Sequence, residues 1–392
     1  MTIDSATRRA PKSASRFARG SSAPSAGAAP LRHAFVVVVG VVFFGLLPLW
    51  PLYDAFANVV VGHGIVTDFR NTFYPAAEAV RHGVSPYPHP GDDVVALGRA
   101  YVYPPLIALV TVPVTLLPVS VAEVGVLALL TAAVVLTLWV LGVRDWRCYG
   151  LVFLWPPFLA AVKTGNVTAL LGLGAALTWR FRDRPTAAGA SVGLSLATKI
   201  FLWPLLLWLG ATRRPKAALL SVAVGAVVLA GSWAAIGFAG SHHYPELLRR
   251  LQDIEAPQSY TLYALALDLG APTSVARLIW AALAVALLVS CVLVARRGDD
   301  KRAFILAVAA ALACSPIVWL NYFVLLAVVL AVAQPQLGPA WFVPLVMYAS
   351  ASTYNGTTFQ NALTILAAAF TVWLALRPIG KREPAGLTRS AA

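Results

Sequence analysis

Four apolar runs, His33–Phe56, Ser120–Val143, Lys216–Phe238 and Ser274–Ala295, constrain this chain more than any other feature. Each approaches or exceeds the roughly 20 residues a helix needs to cross a bilayer core. Hydrocarbon offers no water to backbone N–H and C=O groups, so a spanning segment must satisfy them internally, as a helix does. Composition agrees: hydrophobic residues make up 59% of the 392 residues and charged residues only 12%. A soluble domain carries about 25% charged residues. A larger soluble core cannot absorb the difference, because its surface would still need polar cover. The sequence therefore predicts an all-α polytopic membrane protein.

The net charge of +14 would suggest nucleic acid in a soluble protein. Here Lys and Arg fall in short clusters between apolar runs, which is the positive-inside pattern, so no nucleic-acid partner is expected. Arg8, Arg9, Lys12, Arg16, Arg19 and Arg32 precede the first run and set the N-terminus in the cytoplasm. The clusters "RFRDR" (Arg180–Arg184), "RRPK" (Arg213–Lys216), "RRGDDKR" (Arg296–Arg302) and "RPIGKRE" (Arg377–Glu383) should face the same side. One apolar run, Thr186–Ala211, lies between the first two, and a single crossing would put one cluster on the wrong side. Two half-depth helices, Ala187–Thr198 and Ile200–Leu209, keep both inside and leave Lys199 at an outward turn. "KTGN" (Lys163–Asn166) repeats the design. The expectation is about twelve spans with both termini cytoplasmic, the short, proline-rich Pro104–Pro118 being left undecided. The organisation is a disordered basic tail (1–32), a transmembrane domain (33–377) with outer loops over 57–101 and 239–258, and a second cytoplasmic tail (378–392). Cys148, Cys291 and Cys314 lie at or inside apolar runs without a CxxC spacing and read as packing residues.

Polarity concentrates in "VTDFRNTFYPAAEAVRHGVSPYPHP", Val66–Pro90, just after the first run. Phe73, Ala77 and Val80 would give one apolar stripe to an amphipathic helix lying on the outer surface and stopping at Gly83. Asp68 is then either the cap of that helix or a catalytic carboxylate. Lys199, at a turn between half-helices, suits a phosphate group, and Lys163 has the same reading more weakly. A charge at mid-membrane costs about 2.5–3.5 kcal/mol on insertion scales, so such residues are functional candidates. In the second outer loop, His242 and His243 are adjacent, and side chains at i and i+1 diverge, which disfavours one shared metal. They suit contacts to sugar or phosphate, or a solvated loop. Neither HExxH nor DxD occurs, and no metal or cofactor is expected. Asn166 and Asn321 sit at outward turns, as cap or turn residues or as ligands for polar groups.

"DFRNTFYPAAEAVRHGVSPY" followed by "YVYPPLIALVTVPVTLLP" resembles the bacterial glycosyltransferase family 87, of the GT-C class. The likeness continues through "GNVTALLGLGAAL", "AAGASVGLSLATKIFLWPLLLWL" and "CSPIVWLNYFVLL", in the same order. It implies a GT-C-like bundle acting as an α-mannosyltransferase on the outer face of the cytoplasmic membrane. Mannose would pass from a polyprenyl-phosphate-mannose co-substrate to a lipid-linked or cell-envelope glycan, by an inverting, metal-independent reaction. The GT-C aspartate of the first outer loop, taken as the catalytic base, corresponds to Asp68. Substrate contacts would come from Lys199, Lys163, Asn166, Tyr74, Tyr103, His242, His243 and Asn321. Asn321 departs from the family pattern, which has His there. A glycosyltransferase using another polyprenyl-phosphate sugar, or a flippase of a lipid-linked sugar, is the alternative. Against the flippase, the polar candidates gather at outer turns and no internal repeat is evident.

Overall fold

The structure, a computed structural model, describes residues 28–61, 65–351 and 354–377. The expected tails lie outside the described residues, except that 28–32 begin the first helix. Among the described residues every regular element is helical. Five helices are long and apolar enough to cross a membrane: Ala34–Val61, Val119–Val140, Pro215–Ala235, Thr273–Arg296 and Thr358–Leu376. The runs His33–Phe56, Ser120–Val143, Lys216–Phe238 and Ser274–Ala295 each coincide with one of them. The pair Pro156–Thr164 and Thr168–Arg180, bent by 118°, makes a sixth if counted as one span. The other apolar helices are shorter. Pro185–Thr198 has 14 residues, about 21 Å at 1.5 Å per residue, against a core of about 30 Å. Pro105–Thr111, with the 3-10 turn Val112–Leu116, is shorter still.

Burial separates lipid-facing helices from central ones. Phe35 and Trp50 on the first helix are each 69% exposed, which in a bilayer means facing lipid. Leu326–Ala333 is buried at every residue, and Asp300–Cys314 through most of its length. A helix apolar all round belongs in the middle.

The Thr186–Ala211 run breaks where the charge pattern requires. Pro185–Thr198 ends, Lys199 adopts an extended backbone (φ −160°, ψ 126°), and the chain resumes with Ile200–Leu202 and Pro204–Ala211. The flanking basic clusters meet again at one end. Arg214 Nη2 lies 2.8 Å from Asp183 Oδ1. Asp300 accepts from Arg182 Nε at 3.0 Å, from Arg214 Nη1 at 2.9 Å and from Trp208 Nε1 at 3.0 Å. Arg302 Nε donates to Leu376 O at 2.8 Å, and Lys301 Nζ to Ala333 O at 2.5 Å. Three basic clusters thus share one end of the bundle, and the turns at Asn166 and Lys199 lie at the other.

The Pro185–Thr198 helix packs on Pro215–Ala235 through small residues. A Cβ on Gly193 would meet Val224 Cβ at 2.7 Å and Ser221 O at 2.8 Å; one on Gly189 would meet Leu220 Cβ at 2.6 Å. Between helices in lipid there is little hydrophobic gain, so this close approach supplies the cohesion. Gly193→Leu should force the two helices apart and cost about 1–3 kcal/mol. Thermal unfolding in detergent checks this, and an unchanged midpoint would contradict the packing.

Candidate functional site

The site begins with a contact between two turns. Val66 has a left-handed backbone (φ 68°), is fully buried, and donates its N–H to Lys163 O. Gly165 caps the Pro156–Thr164 helix in the left-handed conformation (φ 69°), and a Cβ there would lie 2.3 Å from Val66 Cγ1. Only glycine accepts both the dihedral angle and the approach. The next residue, Asn166, is buried. Its Oδ1 accepts from Thr168 N at 3.1 Å and Thr168 Oγ1 at 2.7 Å. Fixed so, its Nδ2 donates to Asp68 Oδ2 at 2.7 Å and to Tyr103 Oη at 3.1 Å.

Asp68 is not a helix cap. Its backbone is already helical (φ −67°, ψ −39°) and its side chain accepts no hydrogen bond from the helix it opens. Its carboxylate is held by Asn166, 98 residues away. The helix continues through a π-helical turn, Phe69–Phe73, into Tyr74–Arg81, with Phe69, Phe73, Ala76 and Ala77 buried and Gly83 (φ 72°) ending it. It is anchored by Arg70, whose guanidinium grips Glu123 through two bonds, Nε to Oε1 and Nη2 to Oε2 at 2.7 Å. Glu123 is fully buried, in the second turn of the Val119–Val140 helix, while Arg70 keeps 33% exposure. A lone acid in an apolar run was the only sequence sign of this pair.

Lys199 approaches from another turn. Its Nζ donates to Tyr322 Oη and lies 4.0 Å from the Tyr322 ring centroid and 5.0 Å from that of Tyr103. Aromatic faces attract a cation in this geometry. The sixth group, Glu255, ends the Tyr244–Glu255 helix, beside Gly98, and sequence reading missed it. Burial pushes Glu255 up to about 7, the Asp68 charge pushes the same way, and Lys199 opposes both. Asp68, half-buried yet walled by protein on most sides, is also raised by burial; the Asn166 hydrogen bond and the Lys199 charge oppose the rise. Burial also pushes Lys199 down, to about 7, against the Asp68 and Glu255 charges, so two carboxylates that resist ionisation and one lysine amine share a recess. Such a set can take up a proton, hold an anion and orient a polar ligand through the Asn166 amide.

The remaining predicted residues fall in different places. Lys163 is exposed, and only its backbone carbonyl joins the site. Tyr74 is buried away from the recess: its ring packs on Phe69 and its hydroxyl reaches the carbonyls of Thr115 and Leu117 at 3.4 and 3.3 Å. It fastens the Asp68 helix to the 112–117 turn. His243 lies against His89, ring centroids 4.2 Å apart and tilted by 48°, and against His242 at 4.3 Å, rather than against Asp68 or Lys199. They connect to the recess through Tyr244, which donates to Val102 O at 2.8 Å, and Tyr87, which donates to Tyr103 O at 2.9 Å. Asn321 precedes Tyr322, is buried, and its Nδ2 has no partner among the described residues. Among the described residues, no three His, Cys, Asp or Glu side chains converge as a metal site. The cysteines are free, with Cys148 and Cys291 buried.

A family model described as glycosyltransferase family 87 matches residues 101–316. The match includes Tyr103, Asn166, Lys199 and Glu255, and begins after Asp68. No curated protein and no solved structure matches the chain.

The Arg70–Glu123 pair generates a test of how the Asp68 helix is held. Removing one partner of a buried ion pair typically costs about 3–5 kcal/mol. Arg70 can turn to water, so Glu123→Ala should cost less, about 2–3 kcal/mol, read from thermal unfolding in detergent. Hydrogen exchange should also rise over 67–81 before the rest of the protein opens; uniform exchange would show that the pair does not hold that helix.

Proposed function

The chain belongs to glycosyltransferase family 87 and is a membrane glycosyltransferase; from that premise we propose that the recess around Asp68 transfers mannose from a polyprenyl-phosphate-mannose to a lipid-linked or cell-envelope glycan. The acceptor hydroxyl attacks C1 of the sugar and Asp68 takes its proton. The new C1–O bond forms as the bond from C1 to the phosphate oxygen breaks, with inversion. The leaving polyprenyl phosphate keeps that electron pair and needs no proton, only a cation nearby, which Lys199 supplies. Asn166 orients the base, and Tyr103 and Asn321 offer polar contacts to sugar or phosphate. Under the positive-inside rule the arginine-rich end faces the cytoplasm, so the recess opens on the far side of the plasma membrane, with both termini cytoplasmic. The shorter helices then enter or cross the bilayer as well, bringing the passes to about twelve.

One observation carries this reading: a carboxylate fixed at 2.7 Å by a buried asparagine shares its recess with a lysine ammonium held between two tyrosine rings. A base and a phosphate-binding cation are the two groups that transfer from a sugar phosphate requires.

Proteoliposomes holding the purified protein, radiolabelled polyprenyl-phosphate-mannose and a glycolipid acceptor provide the assay. Asp68→Asn should lower the transfer rate by about 10²–10⁴, the usual worth of a positioned general base. Lys199→Ala should lower kcat by on the order of 100-fold with an unchanged unfolding midpoint. Equal product from wild type and Asp68→Asn would remove Asp68 as base, and lipid movement across the bilayer without transfer would point to a flippase.

The pH dependence has a defined sign. Asp68 works only when ionised, and its pKa is raised from the ordinary 3.8. Activity should therefore fall, as pH drops, at a higher pH than an ordinary carboxylate would dictate. Glu255, raised to about 7 by burial and by the Asp68 charge, already carries its proton when Asp68 titrates, so Glu255→Gln should leave the acid limb of kcat/KM in place. A limb that moves to lower pH would show that Glu255 is still ionised when Asp68 takes up its proton.

A further inference from the structure

At the end of the bundle opposite the Asp68 recess, a cavity of about 750 Å³ opens between Gly210–Arg214 and Ala295–Gly298, bordered by Asp300. Four arginines line it: Arg213, Arg214, Arg296 and Arg297. Arg214 is committed to Asp183 and Asp300. The other three are exposed and make no ion pair among the described residues. Orientation of a membrane protein requires charge at such loops, but it does not require a cavity with the charges around it. Arg213 also occupies a left-handed backbone (φ 62°), a conformation that costs free energy in a residue with a Cβ. The Pro215–Ala235 helix starts two residues later, and its first free N–H groups add positive potential.

The surroundings favour an amphipathic anion over a free one. Leu293, one turn before Arg296, is 50% exposed, and Leu219, one turn after Pro215, is 71% exposed. Both lie on helices long enough to span a membrane. A ligand with a phosphate among the arginines can lay acyl chains along these leucines, whereas inorganic phosphate gains nothing from them. We propose that this cavity binds the phosphodiester headgroup of an anionic phospholipid from the leaflet at the basic end. The site is separate from the Asp68 recess and does not depend on the transfer chemistry.

Native mass spectrometry of the purified full chain, loaded with phosphatidylglycerol or phosphatidylcholine, tests it. Each Lys or Arg near an anionic surface is worth roughly a fivefold factor. Wild type should retain phosphatidylglycerol over phosphatidylcholine by at least about tenfold, and R213N/R296Q/R297Q should show near-equal retention with an unchanged unfolding midpoint in phosphatidylcholine. Should the triple variant not fold, R297Q alone should lower the preference by about fivefold. A preference unchanged in either variant overturns the site. Thermal stabilisation by inorganic phosphate equal to that by phosphatidylglycerol overturns the lipid assignment in favour of a free anion.

Discussion

Asp300, shared between Arg182 and Arg214 with Trp208 as a third donor, is the contact on which the arrangement of the bundle depends. It joins three segments whose like charges would otherwise repel. Once Arg182 and Arg214 are fixed side by side, the chain between them must leave and return. Its turning point is Lys199, and the outgoing Pro185–Thr198 helix delivers that lysine to the opposite end. The helix before it, Thr168–Arg180, runs from Asn166 to the same arginine knot. The two turns that meet Asp68 and Tyr103 are thus set by an ion-paired cluster at the far end. A buried or half-buried acid among several arginines suits this task, because its hydrogen bonds are directional and its loss strands like charges.

How much of this was legible follows from which interactions are local. The break at Lys199 could be read because basic clusters on both sides of one apolar run leave few crossings that obey the charge rule. The Asp68 helix could be read from its stripe and its terminal glycine. Glu123 and Glu255 could not be placed, since their partners are set by packing: Arg70 meets Glu123 across 53 residues, and Glu255 reaches the recess only because its helix ends there. Lys163 and Lys199 look alike in sequence, each lying at a turn, yet Lys163 precedes the capping Gly165 on the exposed side of its helix while Lys199 is itself the turn. Tyr74 shows the limit of motif reading: the residue lies in the stretch that resembles the family, ahead of the matched 101–316, but its side chain serves the helix it stands on. The expected number of passes rested on charge alternation, whereas length and apolarity mark five long helices and one bent pair.

The first span follows a different logic from the core. It is exposed along much of its length, so the bilayer, not the protein, solvates it. The central Asp300–Cys314 and Leu326–Ala333 helices are packed on nearly all sides, which gives the recess a rigid floor through Tyr322. Rigidity matters because a base displaced by about 1 Å can lose on the order of 100-fold in rate. Val66 over Gly165, Arg70 on Glu123 and Tyr74 on the 115–117 carbonyls fix the Asp68 helix on three sides.

Under the proposed mechanism, the two acids divide their roles by environment. Glu255, pushed to about 7 by burial and by Asp68, is part-protonated at neutral pH, and Lys199, lowered to about 7 by burial, is part-deprotonated there. A donor phosphate entering beside Lys199 adds negative charge and raises both carboxyls further. Glu255 already holds a proton most easily, so it takes up that change first. Asp68 stays ionised longer, because Asn166 donates directly to its carboxylate and a hydrogen bond to the charged form favours it. The second carboxylate then acts as a proton reservoir that keeps the charge of the recess in balance while the base remains available to the acceptor hydroxyl.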